Sequence, residues 1–251
     1  MKKAIKFIAI GFCWILIWFI VSILIDIPLL FPAPDAVFHR LGELVITESF
    51  YKIALASFVR ILIGILIAVV TGALLAFLSA IFKPVYDFMT PFVSVVKSTP
   101  VVAFVFLVNM LIGNGKTVIF ICFLMVFPIV YSNIYQGIKS TDKNLLEMCN
   151  VYKIPLKTRI TSLYLPSVAP YFISSLLSSI GLAWKAGVAA EILCTPTISI
   201  GYEIFNAKTY LEYVDLFAWI ATVVILSLVF ELITTTALNA IIKRKKLGTE
   251  A

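Results

Sequence analysis

Residues 57–82 read SFVRILIGILIAVVTGALLAFLSAIF, twenty-six positions with one charged side chain, Arg60, and no proline. A hydrocarbon layer about 30 Å thick is crossed by roughly 20 mostly apolar helical residues, so this stretch predicts a membrane-spanning helix. Working outward, comparable runs occupy Ala4 to Ile25, about Pro91 to Ile112, about Thr117 to Ile138, about Val168 to Leu193 and about Leu216 to Ile242. Pro100 interrupts the third of the six. The first run follows Met1-Lys2-Lys3 but exceeds the 7–15 apolar residues of a signal peptide, and no small-residue cleavage site follows it, so it reads as a retained span. The expected architecture is an all-α integral membrane protein with six transmembrane helices.

Composition agrees. Apolar residues make up 62% of the 251 positions and charged residues 13%, against about 25% charged in soluble domains. That is too little polar surface for a water-facing globule. Soluble catalysis and nucleic-acid binding are excluded as leading classes, and the net charge of +7 is attributed instead to basic residues kept on the cytoplasmic side. One set of connections carries Lys2, Lys3 and Lys6, then Lys83, then Lys139, Lys143, Lys153, Lys157 and Arg159, then Lys243 to Lys246, thirteen basic residues. The opposite set carries four: Arg40, Lys52, Lys116 and Lys208. Both termini are therefore expected in the cytoplasm. The outer connection from Asp26 to about Ala56, with Pro28, Pro32 and Pro34 and an amphipathic stretch near Val37 to Ile46, is expected along the membrane surface. Arg60, facing that acidic connection, is expected to anchor the outer end of its span.

Several chemistries lack their residues. A phosphate-cradling G-x-x-x-x-G-K-[ST] loop needs clustered backbone N–H groups and a lysine. Gly115-Lys116-Thr117 imitates its end, but Met110 stands where the first glycine belongs. His39 has no partner set at metal-ligand spacing, and Cys13, Cys122, Cys149 and Cys194 are scattered without a C-x-x-C. No convincing nucleophile-and-base arrangement supports a lipid-acting enzyme. No cofactor and no metal are expected in this chain.

About 30 residues from Lys139 to Ser167 separate the fourth and fifth spans, far more than neighbouring helices require. Thr141 or Asp142 can cap a short helix whose apolar positions Leu145, Met148, Cys149 and Tyr152 recur at three- to four-residue spacing, with Pro155 limiting it. This loop resembles the signature of permease subunits of bacterial ATP-binding cassette importers: E-A-A, three residues, a glycine, nine residues and I-x-L-P. Glu147-Met148-Cys149 takes the first part, Lys153 the glycine position and Leu163-Tyr164-Leu165-Pro166 the end. Both alanines and the glycine are replaced, and Lys153 is asked to accept a conformation that glycine adopts freely. Lys97-Ser98-Thr99-Pro100-Val101-Val102-Ala103 and Ala190-Glu191 with Ile200-Gly201-Tyr202 resemble stretches of the nitrate, sulfonate and taurine branch. The similarity runs from about Ser57 to Lys246.

The resemblance implies the type I importer permease fold, with residues 1–56 supplying the first transmembrane helix and the extracytoplasmic connection, and 57–251 the permease transmembrane domain, its coupling loop at about 139–167. It implies a multi-pass protein of the bacterial plasma (inner) membrane that is not itself an enzyme, works as a homodimer, and forms the path for a small solute. That solute is an anion such as nitrate, a sulfonate or taurine, or a vitamin precursor. The implied partners are ATPase subunits that bind ATP and Mg, an extracytoplasmic solute-binding protein, and membrane lipid, with no nucleic acid. Glu147, Met148, Cys149, Tyr152, Lys153, Leu165 and Pro166 become the ATPase-coupling residues. A secondary transporter driven by an ion gradient is the rival class, and it predicts inverted repeats and broken helices around midplane sites.

Ionisable groups inside spans mark a pathway or a buried pair. Lys97, Pro100, Lys185 and Glu191 are the candidate translocation residues. Lys97 is close enough to the cytoplasmic end to snorkel. Lys185 is deep, and it either pairs across helices or meets an anionic substrate; for Glu191 structural pairing is the main alternative. Ser174, Ser178 and Gly181 share one helical face, as packing residues or as part of a pore, while Gly64, Gly72 and Gly187 allow close helix approach.

Overall fold

The structure, a computed structural model, describes residues 2–247 and the side chains of 9–238. In chain order the helices are α1 (Lys2–Ile25), α2 (Pro34–Ile46), α3 (Glu48–Ile81), α4 (Lys83–Ser98), α5 (Val101–Ile112), α6 (Asn114–Lys139), α7 (Lys143–Val151), α8 (Leu156–Arg159), a π-turn (Ile160–Tyr164), α9 (Leu165–Cys194), α10 (Ile200–Thr209) and α11 (Tyr213–Leu247). Among the described residues there is no strand. The basic side chains at Lys2, Lys3, Lys6 and Lys243 to Lys246 lie outside the described side chains.

Local chemistry sets the boundaries. Thr47 begins α3 by accepting the Phe50 N–H on its hydroxyl at 3.4 Å, and Ser199 begins α10 by accepting that of Tyr202 at 3.0 Å. Gly113, at φ +82°, turns the chain between α5 and α6, a conformation that costs glycine nothing.

Among the described residues four helices are long and apolar enough to cross a membrane: Glu48–Ile81, Asn114–Lys139, the continuous Leu156–Cys194 and Tyr213–Leu238. The expected third span is not a straight crossing. Its helix begins earlier, at Lys83, keeps Pro91 inside, and breaks at Thr99-Pro100, where α4 and α5 meet at 106°. Proline removes an N–H and drives the preceding residue extended, and Thr99 is extended, with ψ 133°. The bent pair amounts to at most one further crossing. Ala9–Ile25 of α1 is a shorter apolar helix.

At the centre α6 is sandwiched between α3 and α9, its two most extensive neighbours. Small residues bring the three backbones together. A Cβ on Gly64 would stand 2.5 Å from Cys122 Cβ and 2.7 Å from the Ile119 carbonyl oxygen. One on Gly187 would stand 2.7 Å from Ile61 Cγ1 and 2.9 Å from Cys122 Sγ. Cys122 itself donates its thiol to the Ala183 carbonyl at 3.6 Å, so the cysteine is a packing residue at a three-helix junction. Along α6 an aromatic column of Phe123, Phe127, Tyr131 and Tyr135 steps at four-residue spacing, and the Tyr131 hydroxyl donates to Ser79 of α3 at 2.9 Å.

The stretch expected at the membrane surface is α2, which lies across the start of α11. Arg40 grips Asp215 with two hydrogen bonds, of 2.6 and 2.8 Å, and Glu43 with a third of 2.8 Å. These partners, Asp215 first, raise the pKa of the guanidinium above its ordinary value. The first helix attaches here too: the Trp18 indole donates to the Pro32 carbonyl at 3.2 Å and stacks on Phe217 at 5.9 Å.

Overpacking a tight core costs about 1–3 kcal/mol. Gly64→Ala, blocked by a backbone carbonyl, is expected to lower the midpoint of thermal unfolding in detergent more than Gly187→Ala, whose obstacles are the ends of side chains. Gly181→Ala, with open space around its Cβ, is expected to leave the midpoint unchanged or raised; a different ranking would refute the three-helix junction.

Candidate coupling and translocation sites

The short helix expected in the long loop is α7. Of the two possible caps the structure uses Asp142, whose carboxylate accepts the Asn144 N–H at 2.8 Å, while the Thr141 hydroxyl is buried without a partner among the described residues. Cys149 is buried, and Leu145, Glu147, Met148, Val151 and Tyr152 are exposed. Val151 and Tyr152 are 77% and 74% exposed, an apolar surface that no described residue covers.

The glycine position of the signature behaves as its pattern requires. Lys153 has φ +49°. Its N–H donates to Asn150 O at 3.2 Å, and the next N–H, of Ile154, donates to Cys149 O at 3.0 Å. This is the Schellman closure of a helix, normally built with glycine at the left-handed residue. A lysine there carries a penalty of roughly 1 kcal/mol.

Arg159, four residues past Pro155, reaches back over the turn. Its Nε donates to Ile154 O at 2.8 Å, one terminal nitrogen to Asn150 Oδ1 at 2.6 Å and the other to Cys149 O at 2.8 Å. A cation at the C-terminal carbonyls of α7 is also favoured by the helix dipole. Beyond it, Leu165 and Pro166 do not end a loop. They lie within one helix running from Leu156 to Cys194, where the π-turn before Leu165 accommodates Pro166, which has no N–H to donate and a ring that would strike a regular α-helical carbonyl.

The translocation candidates divide. Lys185 is exposed on α9 and makes no hydrogen bond or ion pair among the described residues. Ser174, Ser178, Leu182 and Ala189 fall on the same face and are exposed with it. The small residues therefore separate: Gly64, Gly72 and Gly187 serve packing, whereas Ser174 and Ser178, with Gly181 beside them, belong to an open face. Lys97 sits in the last turn of α4 and donates to Ser132 of α6 at 3.0 Å. Pro100 is exposed at the corner between α4 and α5.

Glu191 is elsewhere, fully buried. Its carboxylate accepts from Ser57 Oγ at 2.8 Å, from Arg60 at 3.1 Å and from the Gly201 N–H at 3.2 Å. Ser57 in turn accepts the Ile200 N–H at 2.9 Å, and Arg60 donates to the Ile198 carbonyl at 2.8 Å. A Cβ on Gly201 would collide with Glu191. Arg60 is thus not the anchor to the acidic outer connection that its position led us to expect. It points into the bundle, its side chain 21% exposed, because the carboxylate there needs a counter-charge. Charge placement alone hinted at this pair: each is the lone acid or base near one end of its span.

The family of binding-protein-dependent transport system inner membrane components matches residues 61–247, from the middle of α3 through both sites. The chain belongs to that family. A probable ABC transporter permease of Brucella melitensis is 25% identical over 198 residues, 78% of this chain and 80% of the Brucella protein. The taurine transport permease of Escherichia coli is 23% identical over 221 residues, 86% and 80% of the two chains. The nitrate import permease of Synechococcus elongatus is 31% identical over 121 residues, 47% and 43%. This permease component of ABC transport is accordingly an inner-membrane protein and not an enzyme.

Restoring glycine tests the strained turn of the permease. Lys153→Gly is expected to stabilise the α7 region by about 1 kcal/mol, read as slower amide hydrogen exchange at Lys153 and Ile154. Faster exchange would show that the lysine side chain contributes more than its backbone strain costs.

Proposed function

We propose that this chain is the six-span permease subunit of an ATP-driven importer, with both termini in the cytoplasm, α1 as the first span and the bent α4–α5 pair as the third. Two copies enclose the path, an external solute-binding protein delivers the solute, and two ATPase subunits bind ATP and Mg and dock on α7. The observation that carries the reading is the exposed face of α7, where Glu147 stands among Leu145, Met148, Val151 and Tyr152 on a helix fastened at both ends. Aromatic and apolar anchors ringed by polar groups are what a docking helix presents to a cleft. Cys149, Lys153, Leu165 and Pro166 serve the same task from behind, by seating the helix and shaping its joint with α9.

ATP binding drives transport only if the ATPase pair favours one conformation of the permease over another. Closure of the ATPases moves α7, and a four-residue link joins α7 to the long helix that carries Lys185. The cargo is a small anion, of the kind named for the taurine and nitrate relatives, or a vitamin precursor. An exposed ammonium within a span cannot face lipid at low cost. Lys185 therefore turns toward the path between copies, with Lys97 and Pro100 nearer its inner mouth. Glu191 acts from the wall of the path, holding α3, α9 and α10 together.

Glu147→Lys is expected to reduce the ATPase recovered with the permease from native membranes by roughly tenfold or more, because it reverses a charge within a contact, while membrane insertion is unchanged. Full recovery and transport would overturn the docking assignment, and ion-dependent uptake without ATP would favour a secondary transporter. Lys185→Met is expected to weaken the apparent affinity of uptake for nitrate or taurine, whichever the wild type carries. An unchanged affinity would remove Lys185 from the path.

A further inference from the structure

We propose that Arg159 is the positioning residue that makes α7 and the long helix from Leu156 to Cys194 a single rigid body, so that displacement of α7 reaches the face carrying Lys185 instead of being absorbed at the joint. The proposal rests on the coupling reading above.

Among the described residues α7 makes no extended packing with any other helix. It is held by its two ends, and the end toward α9 is a link of four residues, Tyr152 to Pro155. The two backbone bonds at Lys153 and Ile154 close α7 upon itself and add nothing across the link. Among the described residues, the hydrogen bonds from α8 back to α7 come from one side chain: Arg159 donates to Cys149 O and to Asn150 Oδ1, and with its third nitrogen to Ile154 O within the link. Each guanidinium nitrogen is used, and its target lies before the link, before it, or inside it. Three bonds from one planar group fix both the angle and the twist between two helices, which a single bond cannot do. Lysine, with one freely rotating ammonium, could satisfy one carbonyl but not hold the three in a fixed relation.

The arrangement also explains how the turn tolerates Lys153. The left-handed residue is strained, and the charge-assisted bonds from Arg159 to the carbonyls on either side of it oppose relaxation of the turn into another conformation. Downstream, the π-turn follows Arg159 directly, so a joint left loose at Arg159 would sit next to the least regular stretch of the long helix.

The test uses the full chain purified with its ATPase in lipid nanodiscs, one labelled copy per complex, in a Cys13→Ser background because the other three cysteines are buried. Nitroxides at Asn144→Cys and Ser162→Cys measure the angle between α7 and the long helix. A polarity-sensitive fluorophore at Ala189→Cys, on the exposed face of α9, reports the response to ATP. The wild-type background is expected to give a narrow distance distribution and an ATP-driven fluorescence change. Arg159→Gln and Arg159→Lys are both expected to broaden the distribution and to lose the ATP-driven change while retaining the ATPase, since the exposed face of α7 is untouched. Loss of folding would remove the ATPase and the signal together, whereas a loosened joint removes only the signal. A distribution as narrow in Arg159→Gln as in the wild type, or an undiminished ATP response, would overturn the proposal. If the wild type itself brings no ATPase, the coupling reading fails, and the distance distributions alone still decide whether Arg159 holds the joint.

Discussion

A carboxylate with no access to water has to be answered from every side, and Glu191 is such a group. Inside a membrane domain the alternatives are neutralisation or a full set of donors, because an unpaired buried charge costs several kcal/mol. Here three donors come from two elements: Ser57 and Arg60 of α3 and the backbone of Gly201 at the start of α10. The connection after α9 must therefore fold back on the bundle, and α3 must present its polar turn inward at the same level. Gly201 has no room for a side chain because its backbone is part of the solution. The pair locates α9 relative to α3, and the glycine-lined junction with α6 fills in beneath it.

Small residues serve two ends in this bundle, and only their surroundings separate them. Gly64 and Gly187 are small because other atoms occupy the space where a side chain would go. Ser178, with the half-buried Gly181 beside it, stands on the side of α9 that no described residue covers, together with Lys185. A helix with one face locked by an ion pair and glycine contacts and the opposite face open is suited to move as a rigid strut.

At the other end of that strut the chain departs from the usual chemistry of its family signature. A lysine stands in the left-handed position, and the turn is held by an arginine from the next helix. The long helix absorbs Pro166 through a π-turn instead of ending before it. Strain and its compensation lie next to each other, the left-handed Lys153 beside the three hydrogen bonds of Arg159.

Much of this was determined by sequence alone. The four long apolar helices follow from hydropathy, because no lipid-exposed backbone can leave its N–H and C=O groups unpaired, so long apolar runs become helices whatever surrounds them. The capped helix from Lys143 and the left-handed Lys153 were legible from signature spacing, since turns and caps depend on nearest neighbours. What the tertiary structure decided is long-range. Arg60 and Glu191 are 131 positions apart, and no periodicity reports which faces of two apolar helices meet; the expectation for Arg60 went wrong for that reason. The 106° corner at Pro100 likewise exceeds what a proline dictates, because a proline permits a break and only the packing around it sets the angle.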